Sequence, residues 1–246
     1  MVKVKICGIC HEAEIGIMNE LVPDFVGFVF VKKSRHFISP EHASYLRSKL
    51  RQGIKSVGVF ANEALQSVAL CVEVAGLNMV QLHGEETGEY VAALREYIRC
   101  PIMKVYKVAK PQDAEKAIYS TADYVMLDGG NAGDGKTFDW SLLGRVRRKF
   151  FLSGGLNPEN FQQALELDPQ PYALNASSGL EAHRTKDYRK VKILHYDING
   201  YVMYQKWFDN GKFLKPEFAK ILNCHEISRE TLILLLSTAI QTKIAI

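Results

Sequence analysis

The sequence lacks any apolar run long enough to cross a bilayer. The best candidate, Leu232–Ile240, falls far short of the roughly 20 residues that a spanning helix needs. The opening MVKVKICGIC contains no apolar stretch of signal-peptide length, so a cytoplasmic protein with no membrane partner is expected. Cysteine is sparse: five residues, at 7, 10, 71, 100 and 224, form an odd and scattered set that excludes a disulfide framework and favours free thiols. Cys7 and Cys10 have no second cysteine pair to complete a zinc site. A redox reading of the same pair explains nothing else in the chain. A glycine-rich turn after the first apolar run is also missing, because Cys7-Gly8-Ile9-Cys10 is not a dinucleotide-binding turn. Strong charge of one sign is absent too. The net +4 is too mild for a nucleic-acid footprint and suits a small anionic substrate.

What the sequence does hold is alternation. Near-continuous apolar runs occur at Val2–Cys7, Phe25–Phe30, Ser56–Phe60, Met79–His83, Ile102–Val108, Tyr124–Asp128, Phe150–Ser153 and Tyr172–Ala176. Runs without polar alternation are expected of parallel strands buried on both faces. Amphipathic segments lie between them: Pro40–Leu50, Leu65–Ala75, Glu89–Ile98 and Gln112–Ser120. Ser39-Pro40-Glu41 and Asn157-Pro158-Glu159 share the grammar of a helix start, a capping side chain followed by proline. Eight strands over about 190 residues predict a closed (β/α)8 barrel of the α/β class, occupying residues 1–193. From there the texture changes. Ile193–Trp207 reads as two strands around Asn199-Gly200, Asp209-Asn210-Gly211 adds a turn, and Thr231–Thr242 reads as a helix. Residues 194–246 are therefore expected to be a separate extension, a β-meander plus helix in place of the barrel's final helix.

In such barrels chemistry sits at the C-terminal ends of the strands. Those ends carry Cys7, Arg35 and His36, His83, Asp128, Ser153-Gly154-Gly155, and Asn175 with Ser177-Ser178-Gly179. Small residues after strands seven and eight let backbone N–H groups approach a phosphate, which makes Gly154, Gly155, Ser177, Ser178 and Gly179 its candidate cradle. Cys7 and Asp128 end strands one and six, on opposite sides of the mouth. A thiolate there can take a proton and a carboxyl can give one. Each has a plainer reading, since cysteines commonly fill cores and an aspartate before Gly129 commonly forms a turn. His11 reads as a first-turn polar residue, and His83 as either a site neighbour or a hydrogen-bonded structural histidine.

Lys5-Ile6-Cys7-Gly8-Ile9, Val26-Gly27-Phe28-Val29-Phe30, Val57-Gly58-Val59-Phe60 and Val80-Gln81-Leu82-His83-Gly84-Glu85 resemble motifs of the phosphoribosylanthranilate isomerase family. So do Leu127-Asp128, Gly135-Lys136-Thr137-Phe138-Asp139-Trp140 and Leu152-Ser153-Gly154-Gly155-Leu156-Asn157-Pro158-Glu159-Asn160. The resemblance runs in order from residue 2 to about 192. It implies an intramolecular oxidoreductase of tryptophan biosynthesis, an aldose–ketose isomerase needing no cofactor or metal. The implied reaction is the Amadori rearrangement of N-(5'-phosphoribosyl)anthranilate, with Asp128 as general acid and Cys7 as general base. It also implies functional coupling to indole-glycerol-phosphate synthase. Two positions depart from the family pattern. Members carry an arginine for the anthranilate carboxylate where this chain has His36, with Arg35 beside it, and an aspartate where it has Asn175.

Three further readings compete with this one. A related lyase, indole-glycerol-phosphate synthase itself, needs a lysine–glutamate set; Lys5 and Lys104 are present without a matching glutamate set. The stretch from about Val191 to Phe213 resembles a small accessory protein of a bacterial insertion-element family. That resemblance implies an inactive or weakened barrel fused to a DNA-associated transposition fragment, and it is the chain's one hint of nucleic acid. The plainer reading of the tail is an oligomerisation or capping extension.

Overall fold

The computed structural model describes residues 2–129, 137–144 and 146–198. The expected hairpin turn at Asn199-Gly200, the turn at Asp209-Asn210-Gly211, the helix Thr231–Thr242, Cys224, and the Gly135-Lys136 step all lie outside them.

Eight strands form as the apolar runs predict: β1 Lys3–Cys7, β2 Phe25–Val29, β3 Lys55–Phe60, β4 Met79–Leu82, β5 Ile102–Lys107, β6 Tyr124–Asp128, β7 Phe150–Ser153 and β8 Ala173–Ala176. They pair in parallel in chain order, and β8 returns to β1 to close the barrel, with Lys5 opposite Asn175. The absence of polar alternation follows from burial on both faces. Val4, Ile6, Val26 and Phe28 pack outward under the helices, while Phe25, Val57, Met79, Met103, Met126 and Phe151 form a second cluster. Since successive strand residues point to opposite faces, that cluster fills the barrel interior.

The helices are α1 Glu12–Leu21, α2 Pro40–Ser48, α3 Leu65–Ala75, α4 Gly88–Leu94, α5 Pro111–Ile118, α6 Phe161–Leu165 and α7 Tyr188–Ile198. Ser39 caps α2 by accepting a 3.2 Å hydrogen bond from the His42 N–H, as the sequence signal indicates. His11 is the N-cap of α1, where the Glu14 carboxylate reaches back to the Cys10 and His11 N–H groups at 2.8 and 3.0 Å. Between β6 and β7 the described residues hold a 3-10 turn, Trp140–Leu143, and no α-helix. Among the described residues no helix is long and apolar enough to cross a membrane.

One expectation is overturned. Ile193–Ile198, read as the first strand of a hairpin, is the C-terminal part of α7, so the barrel keeps its last helix and the boundary expected after residue 193 falls inside it. The reason is tertiary. Val191 and Leu194, three residues apart, are both fully buried, whereas Ile193 is exposed. That is helical spacing, with α7 packed on α1, α6 and β1. Each buried aliphatic contributes about 2 kcal/mol, enough to outweigh the weak strand preference of an Ile-Leu pair. The apolar seam between β8 and β1 is covered.

Candidate active site

The strand register carries four polar side chains into one line across four neighbouring strands. Lys5 on β1 sits opposite Asn175 on β8, and Ser153 on β7 sits opposite Asp128 on β6. The Phe151–Ala173 pairing brings Ser153 beside Asn175. The Lys5 ammonium donates to Asn175 Oδ1 at 2.8 Å, Asn175 Nδ2 donates to Ser153 Oγ at 2.9 Å, and Ser153 Oγ donates to Asp128 Oδ2 at 2.6 Å. All four are buried. An ammonium has no acceptor, so Lys5 fixes the Asn175 amide with its oxygen toward β1. The amide nitrogen then faces Ser153 and leaves the hydroxyl proton for Asp128. Every donor in the chain points toward Asp128.

Cys7 lies across the mouth, nearly buried against Val29 and Val59. It shares the inward face of β1 with Lys5. Gly27 on β2 makes room for both heads: a Cβ there would stand 2.6 Å from Cys7 Sγ and 3.2 Å from Lys5 Nζ. Gly8 gives similar room to His36, whose ring atoms would lie 3.0–3.2 Å from an added Cβ. His36 therefore rests against the residue that follows Cys7.

The second loop is tied down by a residue the sequence reading missed. Glu181 accepts from Arg35 Nη2 at 2.7 Å and from Lys186 Nζ at 2.5 Å, and stands 2.8 Å from His36 Nε2 in an ion-pair contact without hydrogen-bond alignment. Burial works to raise its pKa, but the His36 and Lys186 contacts prevail and hold it at about 2. No local motif announces Glu181 or the fully buried Lys186 head. They matter because a short antiparallel hairpin, Glu181–Ala182 with Thr185–Lys186, folds back on the mouth.

His83, at the end of β4, shares a 3.2 Å hydrogen bond with the buried Gln81. Burial pushes the His83 pKa down, partly offset by the Asp128 charge, so the imidazole favours its neutral form. Lys104, one of the two lysines that a lyase would use, is engaged by the loop after β4. Its ammonium binds Gly84 O at 2.7 Å and Glu86 at 3.0 Å, both charges buried. The four described cysteines are all free.

At the other edge, Gly154 and Gly155 have φ of +98° and +65°, the left-handed region that glycine enters at least cost. A Cβ on Gly179 would come within 2.1 Å of Leu156 O, so the turns after β7 and β8 touch backbone to backbone. The Ser177 hydroxyl is engaged, donating to Cys7 O at 3.0 Å. Of the residues predicted for the site, the structure thus brings Asp128, Asn175 and Ser153 into one network and Arg35 and His36 onto Glu181. Cys7 stands beside Lys5, and the two glycine turns adjoin.

Fold and site together define an enzyme of the (β/α)8-barrel class. Comparison with known proteins is specific. Residues 4–195 match the family described as N-(5'phosphoribosyl)anthranilate (PRA) isomerase. A Thermotoga neapolitana protein named N-(5'-phosphoribosyl)anthranilate isomerase is 40% identical over 199 residues, covering 78% of this chain and 96% of the relative. The crystal structure of phosphoribosyl anthranilate isomerase from Thermotoga maritima superposes with a TM-score of 0.75 at 39% identity, over 81% of this chain and 100% of that one. A phosphoribosyl anthranilate isomerase structure in complex with reduced 1-(o-carboxyphenylamino)-1-deoxyribulose 5-phosphate gives 0.73 at 38% identity, with the same coverage. The chain belongs to the N-(5'-phosphoribosyl)anthranilate isomerase family. It is an isomerase of tryptophan biosynthesis. The comparisons give no support to an insertion-element origin for the tail.

Proposed function

We propose that Asp128 and Cys7 are the acid and base with which this isomerase converts N-(5'-phosphoribosyl)anthranilate to 1-(2-carboxyphenylamino)-1-deoxyribulose 5-phosphate. The supporting observation is the directed hydrogen-bond chain that ends on Asp128, with Cys7 facing it across the mouth. Asp128 Oδ2 accepts from Ser153, which orients the carboxyl that gives its proton to the ribose ring oxygen. Protonation of the ribose ring oxygen breaks its bond to C1', and the anthranilate nitrogen lone pair forms the C1'=N bond of a Schiff base. Cys7 then removes the C2' proton. The released electron pair forms C1'=C2' while the C1'=N pair returns to nitrogen, and the resulting enolamine tautomerises to the ketone.

The remaining assignments follow the shape of the mouth. The backbone of Gly154, Gly155, Ser178 and Gly179 takes the phosphate, with Ser177 contributing its N–H because its hydroxyl is engaged. His36 and Arg35 face the anthranilate carboxylate; His83 and Asn175 line the space between. A cytoplasmic location fits a substrate made and used in metabolism. Hand-over to indole-glycerol-phosphate synthase rests on the product's chemistry. The reading is tested by following the fluorescence loss of freshly made N-(5'-phosphoribosyl)anthranilate, with product detected by that next enzyme. Turnover by the full chain that disappears in Asp128→Asn is expected. Undiminished turnover in both Asp128→Asn and Cys7→Ala overturns the assignment.

A further inference from the structure

Lys5 has no role in the mechanism above, yet its side chain is among the largest that the fold buries completely. A buried ammonium is costly unless something compensates its charge. Its hydrogen-bond partner is a neutral amide oxygen, Asn175 Oδ1. Among the described residues no carboxylate lies within ion-pair distance of it. The nearest group able to become an anion on its own strand is Cys7, two residues on and on the same face. The gap above Gly27 sets their separation: one added Cβ would touch both heads, so thiol and ammonium stand within about 6 Å, the range over which opposite charge favours ionisation. At the same end of β1, His36 and the buried Lys186 ammonium both lie against Glu181, and Glu14 is held by the Cys10, His11 and Lys186 N–H groups.

We propose that Lys5 is a positioning residue that stabilises the thiolate of Cys7, and that Asn175 leaves its charge free to do so. The proposal rests on the reading of Cys7 as the base. A thiol ready to take a proton from carbon must first lose its own, and an unpaired cation held at fixed distance in a water-poor barrel favours that loss without touching substrate. The same ammonium orients the amide that orients Ser153, so one buried charge sets the base on one side and the hydrogen-bond direction toward the acid on the other.

The test reads the thiolate directly. Cys7 carbamidomethylation by iodoacetamide is followed at fixed pH by peptide mass in the full chain, alongside isomerase turnover, because alkylation rate tracks thiolate content. Lys5→Met is expected to slow Cys7 labelling at least tenfold, with kcat reduced more than KM rises, and Lys5→Arg to restore most of it. Asn175→Asp, which keeps the shape and pairs the ammonium, is expected to slow labelling as well, and carries the test should Lys5→Met not fold. Labelling of Cys7 in Lys5→Met or Asn175→Asp that is unchanged or faster than in the parent overturns the proposal, since a loosened core speeds labelling. Turnover surviving Cys7→Ala would instead remove Cys7 as base and leave the labelling result standing.

Discussion

Ser153 Oγ donates to Asp128 Oδ2 at 2.6 Å, which orients the Asp128 carboxylate. Removing the hydroxyl in Ser153→Ala takes away that contact and the acceptor of the Asn175 amide. The expected result is about a tenfold loss in kcat, smaller than the hundredfold or greater loss that the proposed general-acid role predicts for Asp128→Asn. Steady-state fluorescence kinetics on both variants checks the order. Equal losses would mean that Ser153 does more than orient.

Gly27 makes room for Cys7 and Lys5. An alanine Cβ would sit 2.6 Å from Cys7 Sγ, closer than real contacts allow, so the strand or the thiol has to move. Gly27→Ala should cost roughly 1–3 kcal/mol in urea unfolding, as overpacking does. It should also lower kcat disproportionately. A variant with the stability loss but full activity would place the working position of Cys7 elsewhere.

The Glu181 cluster makes stability depend on pH. The folded pKa of Glu181 is near 2, below the ordinary glutamate value, so its contribution is fully present above the unfolded value and lost as pH falls through the folded one. Thermal melts should therefore show Glu181→Gln less stable than the parent at neutral pH. The gap should narrow between about pH 4.5 and pH 2. A gap independent of pH would show that the carboxylate's charge is immaterial.

The paired glycine turns predict a binding defect. Gly179→Ala drives a Cβ to 2.1 Å from Leu156 O and must separate the two loops. KM for the phosphorylated substrate should rise at least tenfold, and inhibition by inorganic phosphate should weaken in parallel. Unchanged phosphate inhibition would move the phosphate off these turns.

The last helix can be weighed on its own. Leu194 is fully buried against the core, and Leu194→Ala should cost about 2–5 kcal/mol, the range for a core leucine. Ile193→Ala, on the exposed side, should cost little. The reverse order in denaturant melts would favour the strand reading of this segment over α7.

The eight strands and most helix starts were legible because local chemistry specifies them. Short continuous apolar runs set between amphipathic segments fit parallel strands buried on both faces, and Ser39-Pro40 supplies a capping side chain and a first-turn proline to the segment that follows. The positions of Cys7, Asp128 and the glycine turns at the barrel mouth were legible for a related reason: strand ends mark the mouth, and order along the chain fixes which ends. The sequence by itself therefore determined the barrel, the family and the acid–base candidates. Only the tertiary structure decided what joins them. Lys5 and Asn175 are 170 residues apart and meet only because β8 closes on β1. Glu181 reaches Arg35 across 146 residues because a short hairpin turns back toward the mouth. Ile193–Ile198 became helix because Val191 and Leu194 found a core to cover, an energy that no local window contains.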